Sequence, residues 1–410
     1  MKEGYKLTEL GEIPEDWQLK TFGDVMTGFS SGQTPSRAIP EYYKGDIRWI
    51  TSGELNYNVI TDTIEKITPE AVKRTNLKIL PKGTFLIAIT GLEAEGTRGS
   101  CGIVGEEATT NQSCMALYPK KELDKDYLRH FYVKYGNWLA FKYCQGTKQQ
   151  SYTGKIARLL PIAIPPSLDE QKKIANTLTD IDALLESIEK VVSKKRLIKA
   201  GIMQTLFKPK EDWIIKKLSE IASIQRGASP RPIEDPKWFD DGSNVGWVRI
   251  SDVTKSVKYL NYTVQQLSED GIRNSRFVSR GKLIMSICAT VGRPIITNID
   301  VCIHDGFVVF NKLKIDQEYL YNYLTYIETD WSKNGQTGSQ MNLNTNLINS
   351  TSIPFPCDIT EQKKIAQIIS DIDAEIQALL LKLKKYKSLK EGIMHDLLTG
   401  KKRLNNPNLR

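Results

Sequence analysis

The string Glu-Gln-Lys-Lys-Ile-Ala stands at residues 170–175 and again at 361–366. It is the core of a longer likeness: 169–206 lies over 360–397 without a gap, with 16 of 38 positions identical. Shared residues include Asp180-Ile181-Asp182-Ala183 against Asp371-Ile372-Asp373-Ala374, and Gly201-Ile202-Met203 against Gly392-Ile393-Met394. The segments before each copy repeat more faintly. Glu15-Asp16-Trp17 answers Glu211-Asp212-Trp213, "GQTPS" (32–36) answers "GASPR" (227–231), and "WITSGEL" (49–55) answers "WVRISDV" (247–253). The chain therefore reads as a tandem duplication, a variable module and then a constant tail, used twice.

Each tail predicts a long helix. Ile365, Ile369, Ile372, Ile376, Leu379, Leu383 and Tyr386 are spaced by four and three, as are Ile174, Leu178, Ile181, Leu185, Ile188 and Val192. That rhythm lines one seam of an α-helix. Neither tail contains proline, while Pro165-Pro166 and Pro354/Pro356 stand just before the starts. An exposed stripe of this length would aggregate, so each seam needs a partner, and the nearest is the other copy. A helix of about 37 residues spans about 55 Å. Antiparallel pairing then carries each module at its own helix N-terminus, with a pseudo-twofold relation.

The modules read as mixed structure. Short β-rich runs ("TFLIAIT", "SCMALYP"; "KLIMSICAT", "FVVFN") alternate with turn signals. A helical stretch follows near 124–143 and 316–331, and each module ends in a polar loop and a short apolar strand, "LLPIAIPP" or "STSIPFP". The fold class expected is α+β: two α/β modules joined by two long helices in an antiparallel coiled coil. The boundaries expected are 1–164, a helix at 165–207, 208–356, a helix at 357–400, and a basic tail at 401–410.

The formal net charge of +9 favours a polyanionic partner. The loops carry side chains that bind phosphates and read base edges, Arg for guanine and Gln or Asn for adenine. No phosphate-cradling G-x-x-x-x-G-K-[ST] loop and no Asn/Asp-Pro-Pro-aromatic string is present. His130, His304 and His395 are scattered without metal-ligand spacing, and His304-Asp305 reads as a hydrogen-bonded turn rather than a catalytic pair. Six cysteines without a C-x-x-C pair fit a reducing compartment. The sequence holds no long apolar run for a membrane helix and no secretion signal, so a cytoplasmic location is expected.

The proline-rich approach, then Glu-Gln-x-x-Ile-Ala, Asp-x-x-Ile and Lys-x-Gly-Ile-Met, found twice, resembles the specificity (S) subunits of type I restriction–modification enzymes. The resemblance covers almost the whole chain. It implies two target recognition domains, each reading one half of a split, asymmetric site on double-stranded DNA, and no catalysis by this chain. It implies partners as well: two methyltransferase (M) subunits carrying S-adenosylmethionine, and restriction (R) subunits using ATP and Mg. No cofactor or metal belongs to this chain. The helix surface away from the seam, with the Lys-x-Gly-Ile-Met segments, is expected to meet the M subunits.

Carried over by position, the DNA-contacting candidates of the first module are Ser31, Gln33, Thr34, Arg37, Arg98, Lys148, Gln149, Gln150, Ser151 and Tyr152. Those of the second are Arg226, Ser229, Arg231, Arg273, Arg276, Arg293, Gln336, Thr337, Gln340 and Asn342. Besides a nuclease or methyltransferase acting alone, for which the missing motifs give little support, two other readings compete. One is a specificity subunit for an enzyme whose methyltransferase and nuclease share one partner chain. The other is a coiled-coil scaffold that binds no nucleic acid.

Overall fold

The computed structural model describes residues 3–94, 96–144, 150–334 and 343–404. The chain forms two compact units, Met1–Glu189 with Lys382–Arg410, and Lys190–Leu381.

In the first unit the sheet order is Met26–Ser31, Cys114–Pro119, Phe85–Ala88, Cys101–Val104, Val59–Ile60, antiparallel except for the last pairing. A smaller sheet sets Ala108–Thr110 parallel to Ile47–Ile50, which pairs antiparallel with Lys66–Ile67. The apolar run "FLIA" is buried at every position: strands pair with it on both edges, and all four side chains, on both faces, lie in the module core, Phe85 against Tyr132. The second unit repeats the order with Ser223–Arg226, Phe307–Asn311, Leu283–Ser286, Pro294–Thr297 and Tyr259–Leu260. Its smaller sheet again holds one parallel pair, Gly246–Val248 with Val301–Ile303. The faint upstream repeat in sequence is thus a repeat of both sheets in topology, down to the parallel pairs, with one further strand, Arg276–Val278, in the second module's smaller sheet. The proline-led closing strands, Pro161–Ile164 and Ser352–Pro356, each pair antiparallel with the strand at the start of their own module.

The long helices run Leu168–Leu206 and Ile359–Leu398. Ser167 starts the first, its Oγ accepting from the Glu170 N–H at 3.1 Å, and Asp358 starts the second, accepting from the Thr360 N–H at 2.8 Å. Gly400, at φ +68°, supplies the left-handed residue that ends the second. Within each unit the helices run antiparallel, since partner numbers fall as residue numbers rise. In the first unit Asp182 pairs with Lys390 at 2.5 Å and Glu189 with Lys387 at 2.8 Å. In the second, Lys195 pairs with Glu375, Lys199 with Asp373 at 2.6 Å and Lys210 with Glu361 at 2.8 Å.

Along the seam Ile174, Leu178, Leu185, Ile188, Val192, Ile365, Ile369 and Ile376 are buried, while Ile181, Ile372, Leu379, Leu383 and Tyr386 are half-buried. The seam also serves the modules. Ile174 and Leu178, with Met394 and Leu397 from the other helix, join the first module's core, and Ile365, Ile369 and Met203 join the second's. Each such side chain, fully buried, stabilises by about 1.5–3 kcal/mol.

This accounts for the repeated motifs. Gln171 is buried; its Oε1 accepts from the Asp124 N–H at 2.9 Å and its Nε2 donates to the Glu122 carbonyl at 3.1 Å. Gln362 does the same to Asp316 N–H at 2.7 Å and the Pro356 carbonyl at 2.8 Å. Asp124 and Asp316 are the N-caps of the module helices Lys125–Tyr143 and Gln317–Tyr326, so each glutamine ties a module helix to a long helix. Glu170, also buried, binds Arg403 through Nε at 2.5 Å, and Asp16 takes the same guanidinium at 2.9 Å. The Lys-x-Gly-Ile-Met segments need a correction: Lys199 and Lys390 are the partners of Asp373 and Asp182, and Met203 and Met394 are buried in module cores. These residues serve contacts inside the chain.

His130 is buried on the module helix, its Nε2 at 3.0 Å from Thr179 Oγ1 and 2.9 Å from an Arg129 nitrogen. Burial, with the Arg129 and Lys390 cations, pushes its pKa down to about 3 from 6.5. The unfolded chain therefore takes up the proton first as pH falls. The stability linked to His130 is complete above about pH 6.5 and is lost progressively toward about pH 3. At pH 5 the loss is about 2 kcal/mol. Denaturant midpoints at pH 7.5 and 5.0 are expected to differ by less in His130→Asn than in the unaltered chain.

Among the described residues no helix is long and apolar enough to cross a membrane, and no group of His, Cys, Asp and Glu could hold a metal ion. All six cysteines are free thiols.

Candidate nucleic-acid interface

In both modules an edge strand of the larger sheet runs out at a glycine. Gly32 lies so close to the end of Ala108–Thr110 that a Cβ there would stand 1.7 Å from the Thr110 carbonyl oxygen. Gly227 lies against the turn after Val301–Ile303 in the same way, with 2.0 Å to the His304 oxygen. Each glycine lets a polar loop cross a second polar loop from the smaller sheet. Backbone bonds fix the crossings: Gln33 N–H to the Thr110 carbonyl at 3.1 Å, and Ala228 N–H to the Ile303 carbonyl at 3.0 Å. A hydroxyl then ties the loops side chain to side chain. In the first module Thr34 Oγ1 meets Gln112 Oε1; in the second Ser229 Oγ donates to Asp305 Oδ1 at 3.0 Å.

Around the first crossing Ser31 and Gln33 are exposed, and the Trp49 indole donates to the Gln33 carbonyl at 3.1 Å. Arg37 lies 4.1 Å over the Tyr43 ring and makes a two-point pair with Glu65, at 2.5 and 2.8 Å. That pair raises the Arg37 pKa and lowers that of Glu65. Around the second, Arg226 Nε donates to the Asp305 carbonyl at 2.7 Å, Arg231 lies 3.6 Å from Asp305 Oδ2, and Arg276 donates to the Arg226 carbonyl at 3.2 Å. His304 reads as a turn residue: its Nδ1 accepts from the Gly306 N–H at 2.9 Å, and burial lowers its pKa.

The remaining candidates lie elsewhere. Arg98 is half-buried and holds its own loop, donating to the Leu92 carbonyl at 2.7 Å and the Glu93 carbonyl at 3.0 Å. Gln150 and Ser151 are half-buried and knit to residues 90–93: Gln150 N–H donates to Glu93 Oε2 at 2.9 Å, and Ser151 bridges Thr90. Tyr152 is buried in the module core. Arg273 is exposed but paired with Glu269 and Asp270 on its own helix. Arg293 is half-buried and donates to the Ser256 carbonyl at 3.2 Å. Lys148, Gln149, Gln336, Thr337, Gln340 and Asn342 lie outside the described residues.

The structure therefore gathers Ser31, Gln33, Thr34 and Arg37 at one crossing and Arg226, Ser229, Arg231 and Arg276 at the other. Sequence reading missed Gln112 and Asp305, the residues each crossing is tied to. Their signal was a polar tract in equivalent places, "TTNQS" (109–113) and "IHDGF" (303–307).

The type I restriction modification DNA specificity domain family matches the chain twice, over residues 14–196 and 210–390. The chain belongs to that family. It is a specificity subunit, whose part in a restriction–modification enzyme is DNA recognition and not catalysis. It is similar to the type I restriction enzyme MjaVIII specificity subunit of Methanocaldococcus jannaschii, 25% identical over 99% of this chain and 98% of the relative. It is also similar to the MjaIX specificity subunit of that organism, 28% identical over 62% of each. The fold matches that of a type I restriction–modification S subunit from M. genitalium, with a TM-score of 0.59 at 15% identity, covering 97% of this chain and 99% of the other. A chain from a structural study of complex assembly in the type I system matches at a TM-score of 0.61 and 15% identity, over 94% and 98%. The specificity subunit's two family matches coincide with the two repeats, and each contains one glycine crossing.

Proposed function

We propose that each module of this specificity subunit reads one half of a split DNA site through its crossed loops, and that the two halves differ in sequence. The observation that carries this is the pairing of one topology with unlike loops. The same glycine crossing presents Gln33, Thr34 and Gln112 in one module and Arg226, Ser229 and Arg231 in the other. Gln favours adenine and Arg favours guanine, so identical scaffolds with these loops select different bases. The chain would seat two M subunits, which would hold S-adenosylmethionine, with R subunits using ATP and Mg joining them in the cytoplasm.

The test is selection of bound sites from a randomised duplex library by the chain assembled with its M subunits. The expected result is two conserved blocks of different sequence separated by an unread gap. Exchanging residues 29–37 and 109–113 for those of a relative is expected to change one block and leave the other. A single continuous block, or binding without base preference, would overturn the reading.

A further inference from the structure

The second crossing contains a charge that a surface for polyanionic DNA has no electrostatic reason to carry. Asp305 stands in the turn between Val301–Ile303 and Phe307–Asn311, half-exposed, among three arginines. Arg226 donates to its main-chain oxygen at 2.7 Å, Arg231 lies 3.6 Å from its carboxylate, and Arg276 holds the Arg226 carbonyl at 3.2 Å. Ser229 donates to the same carboxylate at 3.0 Å. The equivalent place in the first module is neutral, Thr34 with Gln112.

Guanidinium groups gathered on one exposed turn repel one another, and that repulsion spreads them over many rotamers. A carboxylate fixed at the centre of the group reverses the sign. It must be fixed, and the Ser229 hydroxyl and the turn do that. It must also stay ionised. Burial opposes ionisation, but the Ser229 hydrogen bond and the neighbouring His304 and Arg226 outweigh it and hold the Asp305 pKa below the ordinary carboxylate value.

We propose that Asp305 is a positioning residue for the second half-site: its carboxylate presets Arg231, beside the Arg226 that its main-chain oxygen holds, to meet guanine edges. This rests on the reading that the crossed loops contact DNA. A guanidinium that is already oriented loses less side-chain freedom when it makes a two-point contact to guanine O6 and N7. The acid raises specificity at some expense of general attraction to phosphate.

The experiment uses the chain assembled with its M subunits and compares Asp305→Asn, Asp305→Glu, Arg226→Ala and Arg231→Ala by site selection and by affinity for the selected duplex. Asp305→Asn keeps an acceptor for Ser229 and removes the charge. It is expected to weaken binding to the selected site about tenfold, within the range of one lost base contact. It should also flatten the preference at the positions flattened by Arg231→Ala, since the main-chain oxygen that holds Arg226 is unchanged. The first half-site should be unchanged, the slope of affinity against salt should be no shallower, and Asp305→Glu should recover part of the preference. If the arginine variants flatten the second half-site and Asp305→Asn does not, the positioning role is wrong. If Asp305→Asn exchanges one base for another at a position the arginines do not affect, Asp305 contacts a base itself, and the proposal fails in that way. Loss of both half-sites together with a lower melting temperature would make the residue structural only. Should the arginine variants leave the second half-site intact, the loops are not the readers, and the failure lies with the assignment beneath the proposal.

Discussion

Gly32→Ala is expected to abolish recognition of the first half-site, and Gly227→Ala that of the second, each leaving the other half-site intact. A Cβ at Gly32 would stand 1.7 Å from the Thr110 carbonyl oxygen and 2.4 Å from Thr110 Oγ1. At Gly227 it would meet the His304 oxygen at 2.0 Å and the Ile303 oxygen at 2.6 Å. All of these but Thr110 Oγ1 are backbone atoms of strand ends and turns, which cannot rotate away. The loop must lift off instead, breaking the Gln33 or Ala228 hydrogen bond and the hydroxyl tie beyond it. Overpacking of this kind costs about 3 kcal/mol. Site selection reads the loss of specificity and thermal denaturation reads the strain. Gly201→Ala is the control: that glycine sits in a helix with nothing within 4 Å of its added Cβ, and the change is expected to stabilise by about 1 kcal/mol.

Gln171→Leu and Gln362→Leu are expected to be among the most destabilising changes on the long helices. Each leaves an N–H that starts a module helix and a nearby carbonyl without their partner, in part-buried places except for the buried Pro356 carbonyl. An orphaned buried group costs about 1–3 kcal/mol, and partial exposure lowers that, so about 1–3 kcal/mol is expected for each substitution. Changing the neighbouring Lys173 or Lys364 to Ala, both exposed, is expected to cost less than about 0.5 kcal/mol. Denaturant unfolding compares the two classes. Equal effects would mean that the repeated string is kept for something other than these contacts.

Much of the fold was legible because it is written in short-range periods. Alternation by four and three marked both long helices and their seam, and the prolines marked where they begin. The duplication could be counted residue by residue. Pairing followed from one physical demand, that an apolar stripe be covered by its own repeat, and the antiparallel direction from another, that a parallel pair would crowd both modules at one end and need a long connection after 207. The loops were legible as polar segments in matching places, but their roles were not. Tyr152 reads from the sequence as a DNA-contacting candidate and is core, because 150–152 is sewn to residues 89–93. Arg98 reads as another such candidate, and its guanidinium is engaged by two carbonyls of its own loop.

What the sequence by itself determined, then, is the plan of two modules and two pairing helices, since periodicity and repetition are properties of neighbours along a chain. Only the tertiary structure decided which loops meet. Thr34 finds Gln112 across 78 positions and Ser229 finds Asp305 across 76. Those meetings depend on strand order and on a glycine thin enough to let one backbone pass against another, and no local spacing encodes that order.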